Sequence, residues 1–141
     1  MWVDSLDSYA LKVVLREVYI SLNVGLNFLA AVGIRTALDL IINEKVGDSG
    51  TFEQKLDSLV SGGFVSSEEH DRLEVLIEVG SAAAHRGYVP TAKVLTIVLK
   101  ILESLVQKLY VEIKQATELS MAADKIRPTI PRRNRGKKPK A

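Results

Sequence analysis

The sequence predicts an all-α fold. We expect an up-and-down bundle of about five helices over residues 1–125, followed by a flexible basic tail over 126–141. Three observations lead there. Apolar residues recur at helical spacing in successive stretches, and no stretch alternates apolar and polar residues as a strand would. Pro90 is the only proline in the first 125 residues. The charge is also divided. From Ile126 onward there are seven basic side chains and no acid, while the preceding residues hold twelve Lys+Arg against seventeen acids. The formal +2 is therefore an average over a −5 body and a +7 arm.

The first helix is expected over about Tyr9 to Leu22, with Leu11, Val14, Leu15, Val18 and Tyr19 at core spacing. Asn23-Val24-Gly25 is a turn signal. The second helix, about Leu26 to Lys45, is apolar nearly all round, from Phe28 and Leu29 to Ile41 and Ile42. Such a helix belongs at the centre of a fold, contacted on most sides. Its polar residues step by four: Asn27, Ala31, Arg35 and Asp39 share one stripe.

Thr51-Phe52-Glu53-Gln54 is a capping box that starts a short third helix. Leu56, Leu59 and Val60 give it a buried edge, and Gly62-Gly63 ends it. Ser66-Ser67-Glu68-Glu69 is a second capping box. It opens a fourth helix with Leu73, Leu76, Ile77, Gly80 and Ala84 as its core face. That helix finishes in small residues, then His85, Arg86 and Gly87, a natural helix stop. The fifth helix, about Thr91 to Ala123, is the longest. Leu95, Leu99, Leu102, Val106, Leu109, Ile113 and Ala116 step 4-3-4-3-4-3, a heptad seam, and flanking Val94, Val98, Ile101 and Leu105 widen it. The excess apolar surface suits a dimer. After Ala123 the pattern fades, and Pro128, Pro131 and Pro139 among clustered cations predict a disordered arm.

Composition removes several functions. The chain has no cysteine, so it has no disulfide framework and no thiolate nucleophile or metal ligand. With only His70 and His85, an all-protein zinc site is not expected, and no cofactor or metal is assigned. Two acids and no basic residue precede the first apolar run, which does not read as a secretory signal. The longest uncharged stretch, Val18 to Ile34, is short for a membrane span. No membrane partner and a cytoplasmic location are the expectations.

Three polar residues stand out in the apolar body. Arg35 and Asp39 are one turn apart in the helix that should be most buried, and a buried Arg normally needs a carboxylate. His85 ends the fourth helix, where the helix dipole and last carbonyls suit a histidine. If the three converge, they form a polar clamp between helices two and four. His70 lies in the first turn of the fourth helix among Glu68, Glu69 and Asp71, and is expected in solvent without a role.

Arg35-Thr36-Ala37-Leu38-Asp39, the Phe52 and Lys55 pair, and Gly80-Ser81-Ala82-Ala83-Ala84-His85 follow one another in a telling order. Over about residues 10 to 115 the chain resembles the bacterial domain-of-unknown-function family 4145. That family in turn resembles the HEPN superfamily (higher eukaryotes and prokaryotes nucleotide-binding). The resemblance implies a HEPN-like bundle, often a homodimer, in defence or mobile-element settings. Many such proteins are metal-independent endoribonucleases. In these an Arg, four to six intervening residues and a His meet at a dimer interface, the His moving protons and the Arg steadying phosphate. Here the matching positions before His85 are Gly80, Val79 and Glu78, none of them Arg. Ser81 stands where Asn is usual. His85 with Arg35 or Arg86 is what remains of a catalytic set.

The expected function is accordingly a non-catalytic binding or regulatory module. A metal-independent endoribonuclease using His85 with Arg35 or Arg86 is the alternative, and a purely structural dimerisation scaffold is the third reading. RNA or DNA contact is assigned to the tail, through Arg127, Arg132, Arg133, Arg135, Lys137, Lys138 and Lys140. Such cations release counterions from phosphates with little sequence preference. The bland counterpart is a solubilising tail.

Overall fold

The computed structural model describes residues 1–134. Among them the regular structure is entirely helical. The elements are α1 (Tyr9–Asn23), α2 (Asn27–Val46), α3 (Phe52–Ser61), α4 (Ser67–Arg86) and α5 (Ala92–Val106). A π-helical segment, Gln107–Glu112, then joins α5 to α6 (Ile113–Ile126). The caps are those the sequence carries. Ser8, Thr51, Ser66 and Thr91 accept from backbone N–H groups of the first turns of α1, α3, α4 and α5. The boxes at Thr51/Gln54 and Ser66/Glu69 are both closed.

Contacts between side chains fix the directions. Ser8 Oγ donates to Glu44, and Tyr110 Oη donates to the same carboxylate, so the start of α1 meets the end of α2 and of α5. Tyr19 donates to Glu103 at 2.8 Å and Lys108 to Glu69 at 2.6 Å. Asn27 Nδ2 donates to Pro90 O at 3.1 Å. Thus α1 and α4 run one way, and α2 and α5 the other. The short α3 links α2 to α4. Helix α2 touches α1, α3, α4 and α5, the central place its composition implies. Ala30, Ile34, Ala37, Leu38, Ile41 and Ile42 on it are at most 1% exposed.

Several expectations change. Phe28 and Leu29 of α2 are exposed, Leu29 on a groove beside α1 that no described element fills. On α4, Ala83 is buried and Ala84 is exposed, since the helix turns its 80/83 edge toward α2. His70 is not in solvent. Its side chain is 15% exposed and bridges Asp57 of α3 (2.9 Å) to Asp71 and Glu74 of α4. The N-terminal segment joins the body as a 3-10 turn, Trp2–Ser5, which buries Val3 and sets Trp2 edge-on to Tyr19. Four residues are too few to show a period.

The heptad seam lies in the core from Leu95 to Leu109, with Leu99 only partly buried, and then emerges. Ile113 is 48% exposed, and α6 contains no buried residue. The reason is the length of the neighbours. The ends of α1, α2 and α4 all lie level with Lys108 and Tyr110, so the last helix overshoots the bundle. Helix also persists beyond Ala123. Pro128 sits in the first turn of a 3-10 segment, Arg127–Thr129, where a missing N–H costs nothing. Thr129 Oγ1 donates to Ile126 O at 2.6 Å. The arm thus begins with ordered turns rather than at residue 126.

Candidate functional site

Of the residues that stand out in the sequence, Arg35 and Asp39 meet Phe52, Gly80 and Ser81 at one junction of α2, α3 and α4. Arg35 is its hub. Its guanidinium carbon lies 5.2 Å from the centroid of the Phe52 ring, close enough for a cation–π contact. Its Nη1 donates to Ser81 Oγ on α4. Its Nε is 4.0 Å from Asp39 Oδ2, at the far limit of an ion pair. Gly80 makes this possible. A Cβ there would lie 2.5 Å from Arg35 Cβ, so only glycine lets the aliphatic part of the arginine lie on α4.

The polar stripe of α2 continues one turn further. Lys55 of α3 donates to Asn43 Oδ1 at 3.0 Å and to Asp48 Oδ1 at 2.6 Å, with its side chain 13% exposed. Asn27, Arg35 and Asn43, on a stripe that winds round the helix as it steps by four, hold Pro90, Ser81 and Lys55 in turn. The stripe is a seam that fastens α2 to its neighbours. Burial pushes the Asp39 carboxyl above its ordinary range, and the nearby Arg35 and Lys55 offset this only in part. A tight ion pair would do the opposite.

His85 is placed apart from this hub. It lies on the last turn of α4, exposed, one turn beyond Ser81 on the same face. No hydrogen bond or ion pair among the described residues joins it to Arg35 or Asp39. Ser81 takes the place expected of His85. Arg86 is exposed beside it, and Gly87, with φ of 65°, closes the helix while Tyr88 N donates to Ala82 O at 3.1 Å.

The residues converging here are those of the ordered sequence marks: Arg35, Asp39, Phe52, Lys55, Gly80 and Ser81. The profile of the family described as Domain of unknown function (DUF4145) matches residues 16–124. The chain belongs to this family. No curated protein and no solved structure gives a significant match. In this member of the DUF4145 family, the matched span ends two residues before the end of α6. The marks therefore lie inside it, and the basic segment lies beyond it.

Of that basic segment, Arg127 is 80% exposed and pairs with Asp124 at 3.8 Å. Arg132 and Arg133 are exposed, with no ion pair recorded among the described residues. Arg135, Lys137, Lys138 and Lys140 lie outside the described residues. Among the described residues, no helix is long and apolar enough to cross a membrane.

Proposed function

We propose that this DUF4145 chain is a HEPN-like, non-catalytic binding module. In this reading it is bacterial, acts as a homodimer in the cytoplasm in a defence or mobile-element setting, and contacts nucleic acid through its basic C-terminal segment. One observation carries the reading: Arg35 is already engaged by Phe52, Ser81 and Asp39. Held this way the guanidinium is fixed against α3 and α4 with 23% of its side chain exposed, and among the described residues no arginine is bonded to His85. The positive charge is concentrated instead past Ile126, where the sequence has seven cations and no acid, after a helix that projects from the bundle. Seven closely spaced cations within residues 127–140 suit a phosphate backbone.

The alternative is a metal-independent endoribonuclease. It draws on the exposure of His85 and Arg86 on the last turn of α4, one turn from the hydroxyl that holds Arg35. The scaffold reading needs neither site.

One experiment separates the three. Labelled single-stranded RNA and duplex DNA are incubated with the full chain, and with a chain ending at Ile126, in EDTA. We expect retention without cleavage by the full chain, weakening steeply as salt is raised, and none by the shorter chain. Cleavage abolished by His85→Ala overturns the binding reading in favour of the enzyme. Neither retention nor cleavage leaves the scaffold.

A further inference from the structure

We propose that α6 is the contact between two copies of this chain, packed antiparallel about a two-fold axis between Leu119 and Ser120. The proposal rests on the dimeric reading above and adds the surface that makes the dimer. Helix α6 has fourteen residues and none is buried. It is nevertheless amphipathic. Ala116, Leu119, Ala123 and Ile126 share one face with Ile113 at its edge, and Lys114, Glu118 and Lys125 occupy the other together with the exposed Met121. Leu119 is 71% exposed and Ile126 58%, so an apolar stripe of about four turns lies in water.

A two-fold contact needs a surface complementary to itself. The stripe has that property. About its midpoint, Ile113 answers Ile126 of the second copy and Ala116 answers Ala123. The alanines at the middle let the two backbones come close, and the isoleucines close the ends. The charges agree. Glu112 comes opposite the second copy's Arg127, and symmetry makes that contact twice. A parallel pair would set Glu112 against Glu112 and Arg127 against Arg127. Two residues further along, the other copy's Lys114 holds Asp7 at 3.6 Å, so each Arg127 ends beside the start of the other copy's bundle. The basic segment of one copy thus leaves over the acidic bundle of the other.

The π-helical segment has a place in this scheme. It keeps Leu109 buried at 2% exposure while the helix leaves the bundle, so packing stops at a defined residue. Helices that form such a contact gain from being held at one end, since a free helix of this length is marginal.

The absence of cysteine gives a clean background for a test. Two full-length variants, Ala116→Cys and Ala123→Cys, are oxidised separately and mixed. In the antiparallel pair, residue 116 lies opposite 123 of the other copy, and about 10 Å along the axis from the other 116. That exceeds what a disulfide spans. The mixture should therefore link as a heterodimer, and neither variant should link to itself. Self-linking of either variant as readily as the mixture overturns the antiparallel arrangement, and no linking at all overturns the contact. Sedimentation gives the second arm. Ala116→Glu with Ala123→Glu should weaken dimerisation by about tenfold or more. Folding is not at stake, because α6 supplies no buried residue, and an unchanged thermal midpoint at low concentration checks this. A dimer that survives both glutamates removes α6 as the contact and leaves the dimeric reading standing. A wild-type chain that stays monomeric at millimolar concentration removes both.

Discussion

The α2–α3–α4 junction and α6 are built from similar residues to opposite effect. Both are helical, and both mix aliphatic side chains with Arg, Lys and acids. At the junction every notable group is engaged: Arg35 on Phe52 and Ser81, Lys55 on Asn43 and Asp48. On α6 no residue is buried, and Leu119 and Ile126 are more than half exposed. The junction therefore holds the fold together, whereas α6 presents a surface. This difference separates the residues that fasten the bundle from those that face outward.

The largest expected contrast tests that division directly. Leu38 is fully buried on α2, and Leu119 is 71% exposed on α6. Leu38→Ala should cost about 2–5 kcal/mol through lost burial and the cavity left behind. Leu119→Ala should change stability by less than about 0.5 kcal/mol in dilute chain. Urea denaturation of both variants gives the comparison. A cost at Leu119 near that at Leu38 would mean α6 folds back onto the bundle.

A smaller effect probes the close approach at the junction. Gly80→Val places new atoms where the Arg35 side chain already lies. Overpacking of this kind costs about 1–3 kcal/mol. The same enlargement at Ala123, on exposed α6, should stay within about 0.5 kcal/mol. Equal effects at the two sites would show that α4 can shift away from Arg35 without loss.

Much of this was legible before any coordinates. The helices, their caps and the central place of α2 follow from spacing and from Ser/Thr-x-x-Glu/Gln signals, which are local. The polar stripe was legible too, because a step of four fixes a face. What the stripe grips was not. Pairing Arg35 with Ser81 depends on which turn of α4 comes opposite, and a one-turn offset decides between Ser81 and His85. Sequence spacing carries no such register. The end of the buried seam at Leu109 was hidden for a related reason: burial there depends on where three other helices stop. His70 shows the converse, since three neighbouring acids read as solvent until Asp57 of another helix is placed against the ring.

The smallest effect concerns how the junction holds Arg35. Burial raises the Asp39 carboxyl above its ordinary range, with the opposing pull of Arg35 and Lys55 smaller. The folded chain then binds this proton more tightly than the unfolded chain. Stability from this group falls as pH rises from the ordinary carboxylate range through the raised value, and is level above it. Asp39→Asn removes the titration. Relative to wild type, the variant should gain stability between about pH 4 and pH 7. The gain should stay within about 0.5 kcal/mol, because the Asp39 side chain is 40% exposed and its charge is screened. Thermal midpoints of both chains across that range provide the measurement. A variant that loses ground as pH rises would make the Arg35–Asp39 pair the stronger influence, and the junction an ion pair at heart. The expected gain would instead leave Arg35 held by the Phe52 ring, the Ser81 hydroxyl and the space at Gly80. In that case the carboxylate is the one member of the junction that the fold tolerates rather than requires.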